Sequence, residues 1–301
     1  MTIQLQQNWA GKRVLVSGGT GFIGTGVVRQ LIKLGAHVGV ITRSQPSERE
    51  ARWIKAEDSN AFPSEEIDDF HPEMVIHLAT HFVATHDRTD ISRLVRSNVE
   101  FGTQLLESAA QSGAIFVNVS SSWQHFDGKT YSPVSLYAST KEAFLDIAQY
   151  YSETGLDFRN LTIYDTYGPT DKRNKLISQL FNAAAKGQPI SMGTGDQLIN
   201  LLDLTDVIAA ILRISVLPPS SEPGSLNYVA RAGESISVRQ LVKVVEQVSG
   251  KKIDAAWGAR QSRSREMTTD WVFGSMLPGW EQCTSLSEGL RSYWQEFNRA
   301  T

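Results

Sequence analysis

The sequence predicts an α/β protein: a doubly wound parallel sheet covered by helices on both faces, followed by a smaller, less regular C-terminal domain. Three observations carry that expectation. Short β-branched runs alternate with amphipathic helical stretches through the first half of the chain. A glycine-rich loop joins the first run to the first helix. After about Tyr164 the pattern loosens and turn residues multiply, at Gly168-Pro169, Gly187, Pro189, Gly193, Gly195 and Pro218-Pro219.

The elements follow in order. Residues 13–17 (RVLVS), bounded by Gly11 and Gly18, read as a buried strand. Residues 22–34 place Ile23, Val27, Val28, Leu31 and Ile32 at helical spacing until Gly35 stops the helix. Further strands are expected at 37–41 (HVGVI), 74–78 (MVIHL, after the break at His71-Pro72), 115–120 (IFVNVS) and 161–164. Long helices are expected at 91–111, ended by Gly113, and at 136–154. Apolar strands with little alternation suit a sheet buried on both faces. Beyond them come helices at 176–186, 205–216, 238–248 and 286–297, with short scattered strands. The expected division is a first domain over 1–165, with part of 196–230 returning to it, and a second, substrate-binding domain over 166–301.

Composition excludes several function classes. Among 301 residues, 41% are hydrophobic and 20% charged, which suits a packed core. The net charge of -3 is spread without a basic block, so neither nucleic acid nor a membrane surface is the expected partner. Cys283 is the single cysteine, which excludes an internal disulfide and a cysteine-cluster metal site and points to a reducing, cytoplasmic setting. Residues 1–9 lack the charged-then-apolar order of a signal peptide, and no stretch approaches the ~18 apolar residues that span a bilayer. His81, His86 and His125 do not fall into a ligand spacing, so no metal is expected.

The loop Gly18-Gly19-Thr20-Gly21-Phe22-Ile23-Gly24 sits between a strand and a helix, as dinucleotide binding requires in a Rossmann-type sheet. It fits G-x-x-G-x-x-G through Gly18, Gly21 and Gly24, and also G-x-G-x-x-G through Gly19, Gly21 and Gly24. Either way the glycines permit a tight turn and a close backbone approach, and the helix N-terminus faces the pyrophosphate. The second strand ends Thr42-Arg43-Ser44, without the acid that usually bonds an NAD ribose. Arg43 can instead pair with a 2′-phosphate, with Thr42 adding a hydroxyl, which favours NADP(H).

Tyr137 and Lys141 lie four apart near the start of a helix and share one face. A nearby ammonium is expected to favour the phenolate and lower the Tyr137 pKa, making it a proton exchanger for a carbonyl or alcohol. Ser120-Ser121-Ser122 ends the preceding strand, at the sheet edge where ligands bind, and a serine there can bond the reacting oxygen.

With these residues in place, the chain resembles an extended short-chain dehydrogenase/reductase of the nucleotide-sugar-modifying kind. The resemblance runs through the glycine loop, His77-Leu78-Ala79-Thr80, Asn98-Val99, Ser120 to Ser122, Tyr137/Lys141, Tyr167-Gly168-Pro169 and Leu202-Asp203-Leu204-Thr205-Asp206-Val207. It ends with Gly279-Trp280 and Leu286-Ser287-Glu288-Gly289-Leu290. The resemblance implies that Ser122, four residues before the aromatic Phe126, assists Tyr137. It implies that Leu78, Ala79 and Thr80 line the cofactor, with Tyr137 and Lys141 touching it, and that Asp58 lies near the adenine. It implies that Asn98 marks a helix kink and that the two long helices pair into a homodimer.

Family dehydratases carry an Asp-Glu pair after the catalytic hydroxyl residue; here Trp123-Gln124 stand there, and neither can transfer a proton. The run Asp165-Thr166-Tyr167-Gly168-Pro169, followed by Asp171, Arg173 and Lys175, resembles the CDP-paratose/CDP-abequose synthase branch. The expected activity is therefore NADPH-dependent reduction of the C4 ketone of a nucleotide-linked 4-keto-6-deoxy or 3,6-dideoxy sugar. Thr80, His81, Ser122, Trp123, Asp165, Arg173 and Lys175 are the expected substrate residues. Two alternatives stay open: a nucleotide-sugar 4-epimerase with bound NAD, and a non-catalytic NADP-binding sensor or scaffold.

Overall fold

The computed structural model describes residues 7–56, 62–219, 226–261, 263 and 265–300. Its frame is a seven-stranded sheet in which every pairing is parallel. In chain order the strands are β1 (Arg13–Ser17), β2 (His37–Thr42), β3 (Arg52–Lys55), β4 (Met74–His77), β5 (Ile115–Ser121), β6 (Phe158–Ile163) and, after four short strands, β11 (Leu226–Ala230). Their spatial order is β11-β6-β5-β4-β1-β2-β3. The chain reverses its direction of winding at β1, so a crevice opens between the carboxyl ends of β1 and β4.

Strand alternation feeds two cores. Val14 and Val16 of β1 pack on one face, with Val27, Val28 and Leu31 of helix α1 (Phe22–Lys33) and Val207, Ala210 and Ile211 of a later helix. Leu15 points to the other face, among Ile67 and Phe70 of α2 (Ser64–Phe70) and further side chains from the helices there. The expected helix over 91–111 is present as α3 (Asp90–Val95) and α4 (Phe101–Ser112), joined by a π-helical turn over Arg96–Glu100. That turn holds Asn98, the kink position implied by the resemblance. Leu105, Leu106 and Ala109 of α4 and Phe144 and Ala148 of α5 (Leu136–Glu153) complete the second face.

Two sheet members had no clear sequence signal. β3 is an edge strand in which only Ile54 is buried, so it carries no apolar run. β11 lies beyond an irregular stretch yet pairs with β6 from Leu226↔Arg159 to Ala230↔Ile163. Asp58 lies outside the described residues.

The rest of the chain builds a separate core from α6 (Leu176–Lys186), α8 (Val238–Ser249) and α9 (Leu286–Ala300), around Leu180, Phe181, Leu241, Val245 and Leu290. Three two-stranded ladders flank it. These are β7 (Asp165–Tyr167) with β10 (Leu201–Asp203), β8 (Ile190–Ser191) with β13 (Ala255–Ala256), and β9 (Leu198–Ile199) with β12 (Ile236–Ser237). Helix α7 (Leu204–Ser215) leaves this part and packs back on the sheet. Asp203 caps it by accepting from Thr205 N at 2.8 Å. Buried Asp206 accepts from Cys283 N at 2.9 Å and Thr284 N at 3.0 Å, which ties the C-terminal segment to α7.

Candidate active site

A long cleft of about 2250 Å³ runs along the carboxyl edge of the sheet, from the glycine loop to the second core. Its cofactor end is built by close backbone packing. Gly18 has a φ of +70°, and a Cβ there would lie 2.6 Å from Ala79 N. A Cβ at Gly24 would lie 2.0 Å from Gly18 O, and one at Gly21 3.1 Å from the same oxygen. Gly18, Gly21 and Gly24 are thus one interlocked set, so the packing uses the G-x-x-G-x-x-G frame. Gly19 instead meets the Val40 side chain.

Gly21 is the N-cap of α1, with no side-chain cap and no acid in the first turn. The first amides of the helix, beside Phe22, Ile23 and Gly24 in the cleft wall, therefore remain for an anionic ligand. Ser17 sews the next wall to the loop. Its hydroxyl accepts from Leu78 N at 3.2 Å and Ala79 N at 3.3 Å, and bonds His77 Nδ1 at 2.7 Å. At the tip of β2, Thr42 bonds Thr20 between hydroxyls at 3.1 Å, and Arg43 lines the cleft beside it. These donors and the absence of a carboxylate on the loop helix fit a dinucleotide pyrophosphate.

The three serines separate into three roles. Ser120 is buried and donates to Asn160 Oδ1 at 2.5 Å. Ser121 caps the short turn Ser122–Gln124, accepting from Trp123 N at 3.3 Å. Ser122 lines the cleft with Tyr137 and Lys141, as Ser120 and Ser121 also do. Gln124 is turned inward, accepting from Ser121 N at 3.0 Å and donating to Glu142, whereas Trp123 faces the cleft.

Ser135 caps α5 and fixes its start just before Tyr137, and one helical turn then brings Lys141 to the same face. Both are buried, Tyr137 at 8% and Lys141 at 4% exposure. The expected lowering of the Tyr137 pKa by Lys141 is not met. Burial dominates and pushes the phenol up to about 12, with a Thr80 hydrogen bond and the Arg173 charge acting the other way. Burial also pushes the Lys141 ammonium down to about 8. Both groups lose water, and burial shifts each toward its neutral form.

Asn98 secures this corner. Its Oδ1 accepts from Thr80 Oγ1 at 3.0 Å and His81 N at 2.7 Å. Its Nδ2 donates to His81 O at 3.0 Å and to Thr140 Oγ1 at 2.9 Å. The π-helical turn thus clamps the Thr80-His81 loop to the helix that carries Tyr137. The His81 ring faces Asp90 at 3.5 Å.

At the far end, Asp165 is flanked by Lys175, Arg173 and Arg263. Burial raises its pKa, and those cations oppose the rise. Burial likewise lowers Lys175, against the Asp165 charge. Arg173 forks onto Asp171 at 2.6 and 2.7 Å and lies 5.0 Å over the Phe22 ring, so it reaches the cofactor loop as well as the substrate side. The sequence reading missed Phe82, Arg260, Arg263, Glu266, Met267 and Asp270, all of which line the cleft. Most lie on an irregular charged stretch without periodicity, which reads as solvated loop until the fold brings it over the site. Asp270 is pushed up to about 6 by burial and by the Asp165 charge, against Arg231.

The model of the NAD dependent epimerase/dehydratase family matches residues 14–227. The chain belongs to this family. It is accordingly an enzyme of the extended short-chain dehydrogenase/reductase type, and a nicotinamide dinucleotide is the cofactor its glycine loop fits. A CDP-abequose synthase of Salmonella muenchen is 25% identical over 289 residues, 93% of this chain and 96% of that protein. One from Yersinia pseudotuberculosis is 27% identical over 270 residues, 88% and 94% of the two chains. Among solved structures, MoeE5 in complex with UDP-glucuronic acid and NAD superposes with a TM-score of 0.82 at 26% identity, covering 96% of this chain and all of that one (100%). A UDP-glucuronic acid 4-epimerase from Bacillus cereus, at 20% identity and a TM-score of 0.83 over 96% of this chain and 100% of its own, shares the fold. Among the described residues no helix is long and apolar enough to cross a membrane, and no three His, Cys, Asp or Glu side chains are grouped as metal ligands.

Proposed function

We propose that the chain is an NADPH-dependent reductase of the C4 ketone of a nucleotide-linked 4-keto-6-deoxy or 3,6-dideoxy sugar. The observation that carries this reading is the cleft that Ser122, Tyr137 and Lys141 line together, with Trp123 and an inward-turned Gln124 where an elimination would need acid and base. The CDP-abequose synthase relatives support a sugar reductase. Arg43 at the tip of β2, and no carboxylate in Thr42-Arg43-Ser44, support NADP(H) over NAD.

Gly18, Gly21, Phe22, Ile23, Gly24, Thr42, Arg43, Leu78, Ala79 and Thr80 hold the cofactor, which supplies hydride to the ketone carbon. Tyr137 gives its phenolic proton to the carbonyl oxygen as charge develops there. Ser122 donates a hydrogen bond to the same oxygen, worth most where water is excluded. Lys141 stabilises the phenolate left on Tyr137 and touches the cofactor ribose. His81, Trp123, Asp165, Arg173 and Lys175 bind the sugar nucleotide, the cations near its diphosphate. A homodimer through α3–α4 and α5 completes the reading, and Ile91, Val95 and Tyr150 expose apolar surface on those helices.

The test is a panel of CDP-, dTDP-, GDP- and UDP-linked 4-keto sugars with NADPH, followed by loss of 340 nm absorbance and by NMR of the product. Consumption of NADPH with one of them is expected; a panel that consumes none overturns the reading. An NAD-retaining 4-epimerase is the second reading, favoured by the NAD in the complex of the similar structure. It requires that the purified protein carry NAD and interconvert sugars without added cofactor.

A further inference from the structure

We infer that Arg265 is a positioning residue: from the C-terminal part of the chain it braces the loop that joins Ser122 to Tyr137, and so sets one side chain against the other. The loop is a single folded unit. Val134 N donates to Trp123 O at 2.8 Å, Ser132 N to Gln124 O at 2.9 Å, and Phe126 N to Ser132 O at 2.7 Å. Its two legs are thus laced together. Ser122 stands at the foot of one leg, and Ser135, the cap of the helix that carries Tyr137, at the foot of the other. The tip turns through Asp127 and Gly128, both left-handed, with φ of +52° and +71°.

Arg265 holds both legs. Its Nε donates to Pro133 O at 2.9 Å and its Nη2 to Ser132 Oγ at 2.7 Å, while the guanidinium lies 4.3 Å over the Phe126 ring. A planar fork can bond two acceptors along its edge and cover a ring with its face, which a point charge cannot do. Two neighbours extend the contact. The Trp271 ring stacks on His125 at 3.7 Å between centroids and 10° between planes, and Thr268 Oγ1 donates to Asp127 Oδ1 at 3.3 Å. The same stretch is tied to the second core: Leu198 N donates to Thr268 O at 3.2 Å, and Ser235 Oγ donates to the Asp270 carboxylate. Its Arg263, Glu266, Met267 and Asp270 line the cleft. Ser122 is therefore placed by its own strand and also by the part of the chain that walls the far end of the cleft.

The inference rests on the reductase reading for its rate measurements and on the fold alone for its exchange measurement. A displacement of about 1 Å between positioned groups costs on the order of 100-fold in rate. In Arg265→Ala, kcat for the 4-keto sugar that consumes NADPH should fall about 10- to 100-fold, with NADPH affinity unchanged in fluorescence titration. A double-mutant cycle tests the residue it acts through. On a Ser122→Ala background the same substitution should cost less than about 3-fold, because the hydroxyl being positioned is gone. Full additivity, or a loss carried by NADPH affinity, overturns the inference. In the ligand-free protein, the Phe126, Ser132 and Val134 amides should exchange on the order of 10-fold faster in Arg265→Ala, since two hydrogen bonds from a charged group are lost. Unchanged exchange overturns the brace whatever the reaction. Faster exchange in a protein that consumes no NADPH keeps the brace and overturns the reductase reading.

Discussion

Gly24→Ala tests whether the glycine loop is a cofactor seat, and its effect can be worked from distances. The added Cβ would lie 2.0 Å from Gly18 O, 2.8 Å from Gly18 C and 2.8 Å from Gly19 Cα. An ordinary carbon–oxygen contact needs about 3.2 Å or more, so loop and helix must part by roughly 1 Å. All three clashing atoms are backbone, so no side-chain rotation relieves them. Overpacking of this kind costs on the order of 1–3 kcal/mol of stability. A 1 Å displacement of positioned groups costs about 100-fold in the function they serve. Gly113→Ala is the matched control. Its φ of +67° makes alanine strained, about 1 kcal/mol, but nothing lies within 4 Å of the new methyl. Both variants should lower the urea midpoint. Only Gly24→Ala should weaken NADPH, measured by fluorescence titration, by about 100-fold. Unaltered NADPH affinity in Gly24→Ala, with the midpoint lowered, would refute the reasoning.

Four further outcomes are expected. Tyr137→Phe should keep NADPH binding and lose about 100- to 10,000-fold in turnover; retained turnover removes Tyr137 as the proton donor. Arg43→Ala should weaken NADPH far more than NADH, and equal weakening in paired titrations removes the 2′-phosphate argument. His77 is buried and pushed down to about 3 by burial and then by the Lys141 charge, so the folded state resists its protonation. Below the unfolded value near 6.5 the unfolded chain binds the extra proton, so stability falls by up to about 1.4 kcal/mol per pH unit toward pH 3. His77→Asn should flatten that acid limb in urea titrations; an unchanged limb assigns it to other groups. Ile91→Glu should shift sedimentation from a dimer to a monomer, and a wild-type protein that sediments as a monomer ends the dimer proposal.

How much of the site was legible depends on whether chemistry followed a local pattern. The glycine loop and the Tyr137/Lys141 pair each sit within a few residues of a strand end or a helix start, so spacing places them, whereas the resemblance chose Ser122 among the three serines. The NADP argument from Thr42-Arg43 likewise needs only the end of β2. Phe82 and Arg263 could not be found that way, because they are 181 residues apart and meet only around Trp123. The third strand was missed because a single buried residue, Ile54, leaves no apolar run to recognise.

The sequence by itself determined most of the sheet and the cofactor loop, and it marked Ser122, Tyr137 and Lys141 as the expected catalytic residues, since hydrophobic period and short motifs are local properties. Tertiary structure decided what those residues experience. Ser120 bonds Asn160 and Ser121 caps the short turn after it, while all three serines line the cleft. Asn98 became a four-way clamp. The Tyr137 phenol, expected to be acidified by Lys141, is raised because burial removes water from both groups. Desolvation is set by the whole surrounding fold, and no spacing along the chain encodes it.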